Sequence, residues 1–90
     1  MTENQSPMPK VERERQILKF IDDREVMLSP RALYDNLKEF EGITYSDTTV
    51  KRLVLDMHKR GLVERINVSN GYYKITEKGR KHIAGELDEE

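Results

Sequence analysis

Ser46-Asp47-Thr48-Thr49-Val50-Lys51-Arg52-Leu53-Val54-Leu55-Asp56-Met57-His58-Lys59-Arg60-Gly61 carries a helix start, an apolar stripe, a cationic outer face and a stop. The Ser46 hydroxyl is placed to accept from the orphan amides of a first turn. Asp47 suits the positive end of the helix dipole, and Lys59 and Arg60 suit the negative end. Gly61 stands where a helix leaves through a left-handed residue. Val50, Leu53, Val54 and Met57 fall at i, i+3, i+4 and i+7 and share one face. Turning by about 100° per residue sets Thr48, Arg52 and Lys59 near the opposite face, flanked by Lys51 and Leu55. A helix packed on one side and offering Thr, Arg and Lys on the other has the chemistry to enter a DNA major groove. Arg reads guanine bidentately, and Thr meets either base edge or a thymine methyl. Asp56, near this face, counts against it by repelling phosphate.

Behind this helix the pattern changes period. Residues 62–69 and 72–76 read as two strands joined by Asn70-Gly71, a pair that favours the two-residue type I′ turn. Pairing Ser69 with Tyr72 and stepping outward sets Ile66 opposite Ile75 and Val68 opposite Tyr73 on an apolar face. Arg65, Asn67, Lys74 and Thr76 then share the polar face. A last helix opens at Thr76 as cap with Glu77 near the dipole, and Ile83, Ala84 and Leu87 form its short stripe. Gly79 and Gly85 weaken that helix by roughly 1 kcal/mol each relative to Ala, so it needs a packing partner.

Ahead of it, Ser29-Pro30 is a cap followed by a proline at the first helical position, which starts a second helix over residues 30–40. Leu33, Leu37 and Phe40 make its inner stripe. Leu28 with Leu33, and Tyr45 with Val50, match hydrophobic staples at two helix starts. Gly42 lies just past the second helix, and residues 41–45 turn the chain into the third. Residues 25–28 read as a brief strand. Residues 10–24 read as a first helix, with Val11, Ile17, Leu18 and Ile21 on one side and Phe20 at its edge. Residues 1–9, polar and proline-bearing, form a flexible leader, residues 10–88 the domain, and residues 89–90 the end of an acidic tail.

Ninety residues make one small domain. The chain has no cysteine, which removes disulfides, thiolate metal sites and cysteine nucleophiles and fits a cytoplasmic protein. No apolar run approaches the ~18 residues of a membrane span, and no signal-peptide pattern opens the chain. The formal net charge of −1 hides an uneven distribution. Sixteen cations and twelve acids lie between Lys10 and Lys81, a local excess of +4, while the acidity gathers in the tail. His58 and His82 are too few and too far apart for a metal or triad reading and are assigned to the surface. No nucleophile elbow, phosphate loop or metal motif is present, so neither an enzyme nor a cofactor is expected.

The order helix, short strand, helix, helix, hairpin, helix resembles an α+β winged helix-turn-helix: a three-helix core, a two-stranded β-hairpin wing and a short C-terminal helix. Arg60-Gly61-Leu62-Val63-Glu64-Arg65, then Gly71-Tyr72-Tyr73-Lys74-Ile75-Thr76-Glu77-Lys78-Gly79-Arg80, is similar to the strand, wing and last-helix start of MarR- and PadR-type regulators. The wording is most similar to small archaeal regulators related to the repressor of the haloarchaeal phage phi-H. The resemblance implies a transcription regulator, a repressor for example, that binds double-stranded DNA as a homodimer. Its third helix (46–60) would lie in the major groove and its wing (62–76) on the flanking backbone or minor groove. The flanking helices are shorter than in MarR proteins, so no small-molecule effector pocket is expected.

Thr48, Thr49, Lys51, Arg52 and Lys59 on the third helix and Arg65, Asn67, Asn70 and Lys74 on the wing are the expected DNA contacts. Ser29, Arg31 and Thr44 are further phosphate candidates near helix starts. The alternative is a winged helix used as a protein-interaction module in transcription or replication machinery, motivated by the near-neutral charge and acidic end. Binding of RNA is a third reading.

Overall fold

The computed structural model describes residues 8–67 and 71–85. Helix α1 (Lys10–Arg24) begins on Pro9, whose carbonyl accepts from the Glu12 and Arg13 amides at 3.0 Å each. The expected leader therefore ends in a defined helix cap, while residues 1–7 lie outside the described residues. Ile17, Leu18, Phe20 and Ile21 are buried, and Glu14 sits among them on the same stripe. Val11, assigned to this stripe, is 48% exposed because the helix start projects past the core.

Helix α2 (Pro30–Glu41) starts as its sequence dictates: Ser29 Oγ accepts from the Ala32 amide at 3.1 Å, Pro30 follows, and Gly42 ends the helix at φ +63°. Leu33 and Leu37 are buried, but Phe40 is 65% exposed. The ring that closes the core at this end is instead Tyr45, whose hydroxyl donates to Gln16 Oε1 at 2.8 Å. Helix α3 (Asp47–Lys59) carries the cap read from Ser46, with the Thr49 amide donating to its Oγ at 3.2 Å. Val50, Leu53, Val54 and Met57 are all buried. The helix leaves through Gly61 at φ +81°, just past the cap Arg60.

Strands β1 (Val63–Asn67) and β2 (Tyr72–Ile75) form the antiparallel wing, but in a different register from the one the Asn-Gly turn suggests. Val63 faces Ile75, Glu64 faces Lys74 and Arg65 faces Tyr73; a bulge then sets Asn67 opposite Tyr72. Ile75 thus meets Val63 rather than Ile66, a slip of three residues. Three anchors outside the turn decide it. The Leu28 and Tyr73 backbones exchange two hydrogen bonds (2.9 and 3.0 Å), fixing β2 from its other edge. The Thr76 amide donates to the Leu62 carbonyl at 3.1 Å, tying the strand ends together. Val63 and Ile75 are buried side chains, and Ile66, left beyond the core, is 41% exposed. Tyr73 is buried, as its pattern implied; Val68, Ser69 and Asn70 lie outside the described residues.

Helix α4 (Glu77–Ile83) is capped by Thr76, whose hydroxyl accepts from the Gly79 amide at 3.0 Å. Gly79 is required by packing. A Cβ there would collide with the Leu62 carbonyl oxygen and lie 2.7 Å from Ile75 Cγ1. Gly85, at φ +86°, follows the helix end rather than weakening its interior. The packing partner of α4 is α1 of the same chain: Arg15 donates to the His82 and Ile83 carbonyls, and Arg80 pairs with Asp22 at 3.0 Å. His82, assigned to the surface, is half-buried at this junction. Leu87 and the acidic end lie outside the described residues.

Candidate nucleic-acid interface

Alternating burial along α3 separates two chemistries. Its apolar stripe is fixed against the core, so Thr48, Lys51, Arg52, Leu55 and Lys59 are held facing solvent. The acids of the helix are compensated from outside. Asp47 pairs with Arg31 at 3.2 Å, and Asp56 lies between Lys10 (3.4 Å) and Arg60 (3.6 Å). Asp56 is thereby partly neutralised, which weakens the objection that it would repel phosphate. Lys51, Arg52 and Lys59 make no ion pair among the described residues. The outward face of α3 therefore carries a net positive charge with hydroxyl and methyl groups between the cations.

The other expected contacts divide. Thr49 is half-buried, and its amide and hydroxyl both meet Ser46 in the helix cap, so its place is explained locally. Arg65 is exposed, with its guanidinium 3.5 Å from where a Cβ on Gly71 would stand. It faces Tyr73 across the strands, not Thr76 as the sequence register implied. Lys74 is exposed but shares its charge with Glu64 across the hairpin at 3.6 Å. Asn67 ends β1 opposite Tyr72, and Asn70 lies outside the described residues. Of the further phosphate candidates, Ser29 is occupied as a cap and Arg31 by Asp35 and Asp47. Thr44 is exposed.

Two groups were missed by reading the sequence. Lys10 and Arg13, assigned only to the first helix, meet Thr49, Arg52 and Asp56 around a cleft of about 400 Å³ beside α3. Arg13 stacks over the Tyr45 ring at 5.1 Å. Glu14, 2% exposed, receives Arg60 Nη2 on Oε1 at 2.8 Å and so ties α1 to the far end of α3. Neither pairing has a local signal, because both partners lie tens of residues apart. His58 is exposed, its ring edge-on to Tyr73 at 5.6 Å. Among the described residues no three His, Asp or Glu side chains converge as a metal site would need, and no helix is long and apolar enough to cross a membrane.

Three helices, a two-stranded antiparallel hairpin and a closing helix define a winged-helix domain. The family model of the ribonuclease R winged-helix domain matches residues 15–87, and the chain belongs to this family. A solved structure of the ferric uptake regulator from Francisella tularensis, described with iron, is similar in fold. Its TM-score is 0.63 at 24% identity, over 86% of this chain and 58% of the regulator's chain. The chain thus spans somewhat more than half the length of that protein. No curated protein sequence matches it.

Proposed function

We propose that this domain binds double-stranded DNA as a transcription regulator, with α3 in the major groove and the wing over the flanking backbone or minor groove. The observation that carries this reading is the outward face of α3: Lys51, Arg52 and Lys59 unpaired among the described residues, while Asp47 and Asp56 are both paired. Phosphate contacts supply affinity and salt sensitivity, and Arg52 with Thr48 supplies base choice. Lys10 and Arg13 extend the cationic surface from α1. The finer reading follows the MarR- and PadR-like wording of the strand, wing and α4 start: a cytoplasmic homodimeric repressor of the archaeal phage-repressor type. Two α3 helices would then sit about one DNA turn apart on a palindromic site. It acts by binding, without a catalytic step.

The test is fluorescence anisotropy of labelled duplex DNA across a salt series, for the wild type and an Arg52→Ala/Lys59→Ala variant. The expected result is steep salt dependence for the wild type and a slope lower by roughly one to two units in the variant. Equal binding by both refutes the placement of α3. A second reading, binding of RNA, is favoured by the family's own description, which ties the domain to a ribonuclease. Competition of duplex RNA against duplex DNA separates the two. A protein-interaction role is supported instead if the α3 variant keeps full function while changes at Ile83 abolish it.

A further inference from the structure

Three concavities among the described residues have a carboxylate in the wall: Glu12, Asp23 and Glu41 in one, Asp56 in the cleft beside α3, Glu25 in a third. A fourth does not. It encloses about 370 Å³ where the end of α3 and its turn meet α4, and its walls are Lys59, Arg60, Leu62, Lys78 and His82. Arg60 is held from behind by Glu14 (2.8 Å) and Asp56 (3.6 Å), so its charge is largely compensated. Lys59 and Lys78 make no ion pair among the described residues. The Lys78 stem lies across Gly61, where a Cβ would stand 3.6 Å from Cδ and 4.0 Å from Nζ; this holds the ammonium on the α3–β1 turn. Two lysines from different elements thus line one concavity with the half-buried His82 beside them. Such a concave cationic wall concentrates anions, and lysine ammonium groups bind phosphate as point charges.

We propose that this concavity binds a phosphate group, and that when the domain is on nucleic acid the group is a backbone phosphodiester adjoining the stretch engaged by α3. The first half stands on the geometry alone; the second rests on the reading given under Proposed function. Continuity favours a backbone source. Lys59 belongs both to the outward face of α3 and to this wall, and Arg52 lies two turns earlier, about 10 Å along the same face. A cationic track therefore runs from α3 onto α4, and a nucleic-acid strand offers an anion at every nucleotide along it.

Two measurements on the full chain test this. The first is duplex anisotropy across a salt series for wild type, Lys78→Gln, Lys78→Arg and, as control, Lys19→Gln on α1. The salt slope is expected to fall by about one for Lys78→Gln, uniformly across DNA sequences, and to persist in the other two. The second follows backbone amide resonances of Gly61, Lys78 and His82 while inorganic phosphate is added. Shifts in wild type that vanish in Lys78→Gln are expected. An unchanged slope for Lys78→Gln, with a reduced one for Arg52→Ala/Lys59→Ala, overturns the backbone source and leaves the function intact. If the wild type binds no duplex, the function falls, and the phosphate titration alone decides the site. Absence of phosphate-induced shifts together with an unchanged slope overturns the proposal entirely.

Discussion

Arg60→Ala tests the tie between α1 and the end of α3. The Glu14 side chain is 3% exposed; Oε1 accepts from Arg60 and Oε2 has no hydrogen-bond partner among the described residues. Removing the guanidinium leaves a buried carboxylate without its cation. Breaking a buried pair from one side costs about 3–5 kcal/mol. The Arg60 side chain is 41% exposed, so water already screens that end, and about 2–3 kcal/mol is the better figure. Glu14→Leu behaves differently. It removes the charge and the unpartnered oxygen together, continues the stripe of Ile17, Leu18 and Ile21, and leaves Arg60 free to keep Asp56. Its stability should lie within about 1 kcal/mol of wild type, or above it. Thermal unfolding followed by circular dichroism reads both, and Arg60→Ala should lower Tm by on the order of 10–20 °C. In the double variant the Arg60→Ala penalty should largely disappear. Equal destabilisation by the two single changes, or a silent Arg60→Ala, would falsify the claim that the buried carboxylate depends on this one cation.

Three further outcomes are expected. Gly79→Ala should destabilise by about 1–3 kcal/mol in thermal unfolding, because the new Cβ meets the Leu62 carbonyl and Ile75; helix propensity alone gives the opposite sign, about 1 kcal/mol of stabilisation. Val63→Ala should cost about 1.5–3 kcal/mol and Ile66→Ala under about 1, since Val63 is buried against Ile75 and Ile66 is not. The reverse order in denaturant titrations would favour the two-residue Asn70-Gly71 register. Burial pushes the Tyr45 hydroxyl up to about 12, with Glu41 adding to the rise and Arg13 opposing it. The folded state then keeps a proton that the unfolded chain loses near pH 10, so this stabilisation is complete below pH 10 and is lost as pH rises towards 12. Tyr45→Phe should flatten that alkaline decline of roughly 1–2 kcal/mol, read as stability against pH.

Local rules carried the helices. Ser29, Ser46 and Thr76 each cap the helix their position announced, and the α3 stripe and its outward cations lie as periodicity placed them. These features depend on contacts within four residues, and a sequence read alone contains all of them. The order of elements likewise made the winged-helix class legible. Tertiary structure decided what depends on distant partners. The wing took its register from Leu28, Leu62 and the core seats of Val63 and Ile75, overriding the turn preference of Asn70-Gly71. Phe40 yielded its place in the core to Tyr45, and Gly79 changed from a weak point of a helix to a point of close approach. The pairing of Asp56, the burial of Glu14 against Arg60, and the shared concavity of Lys59 and Lys78 join residues 19 to 46 positions apart. Short-range periodicity cannot encode such contacts, because burial and charge compensation are set by which surfaces the packed helices bring together.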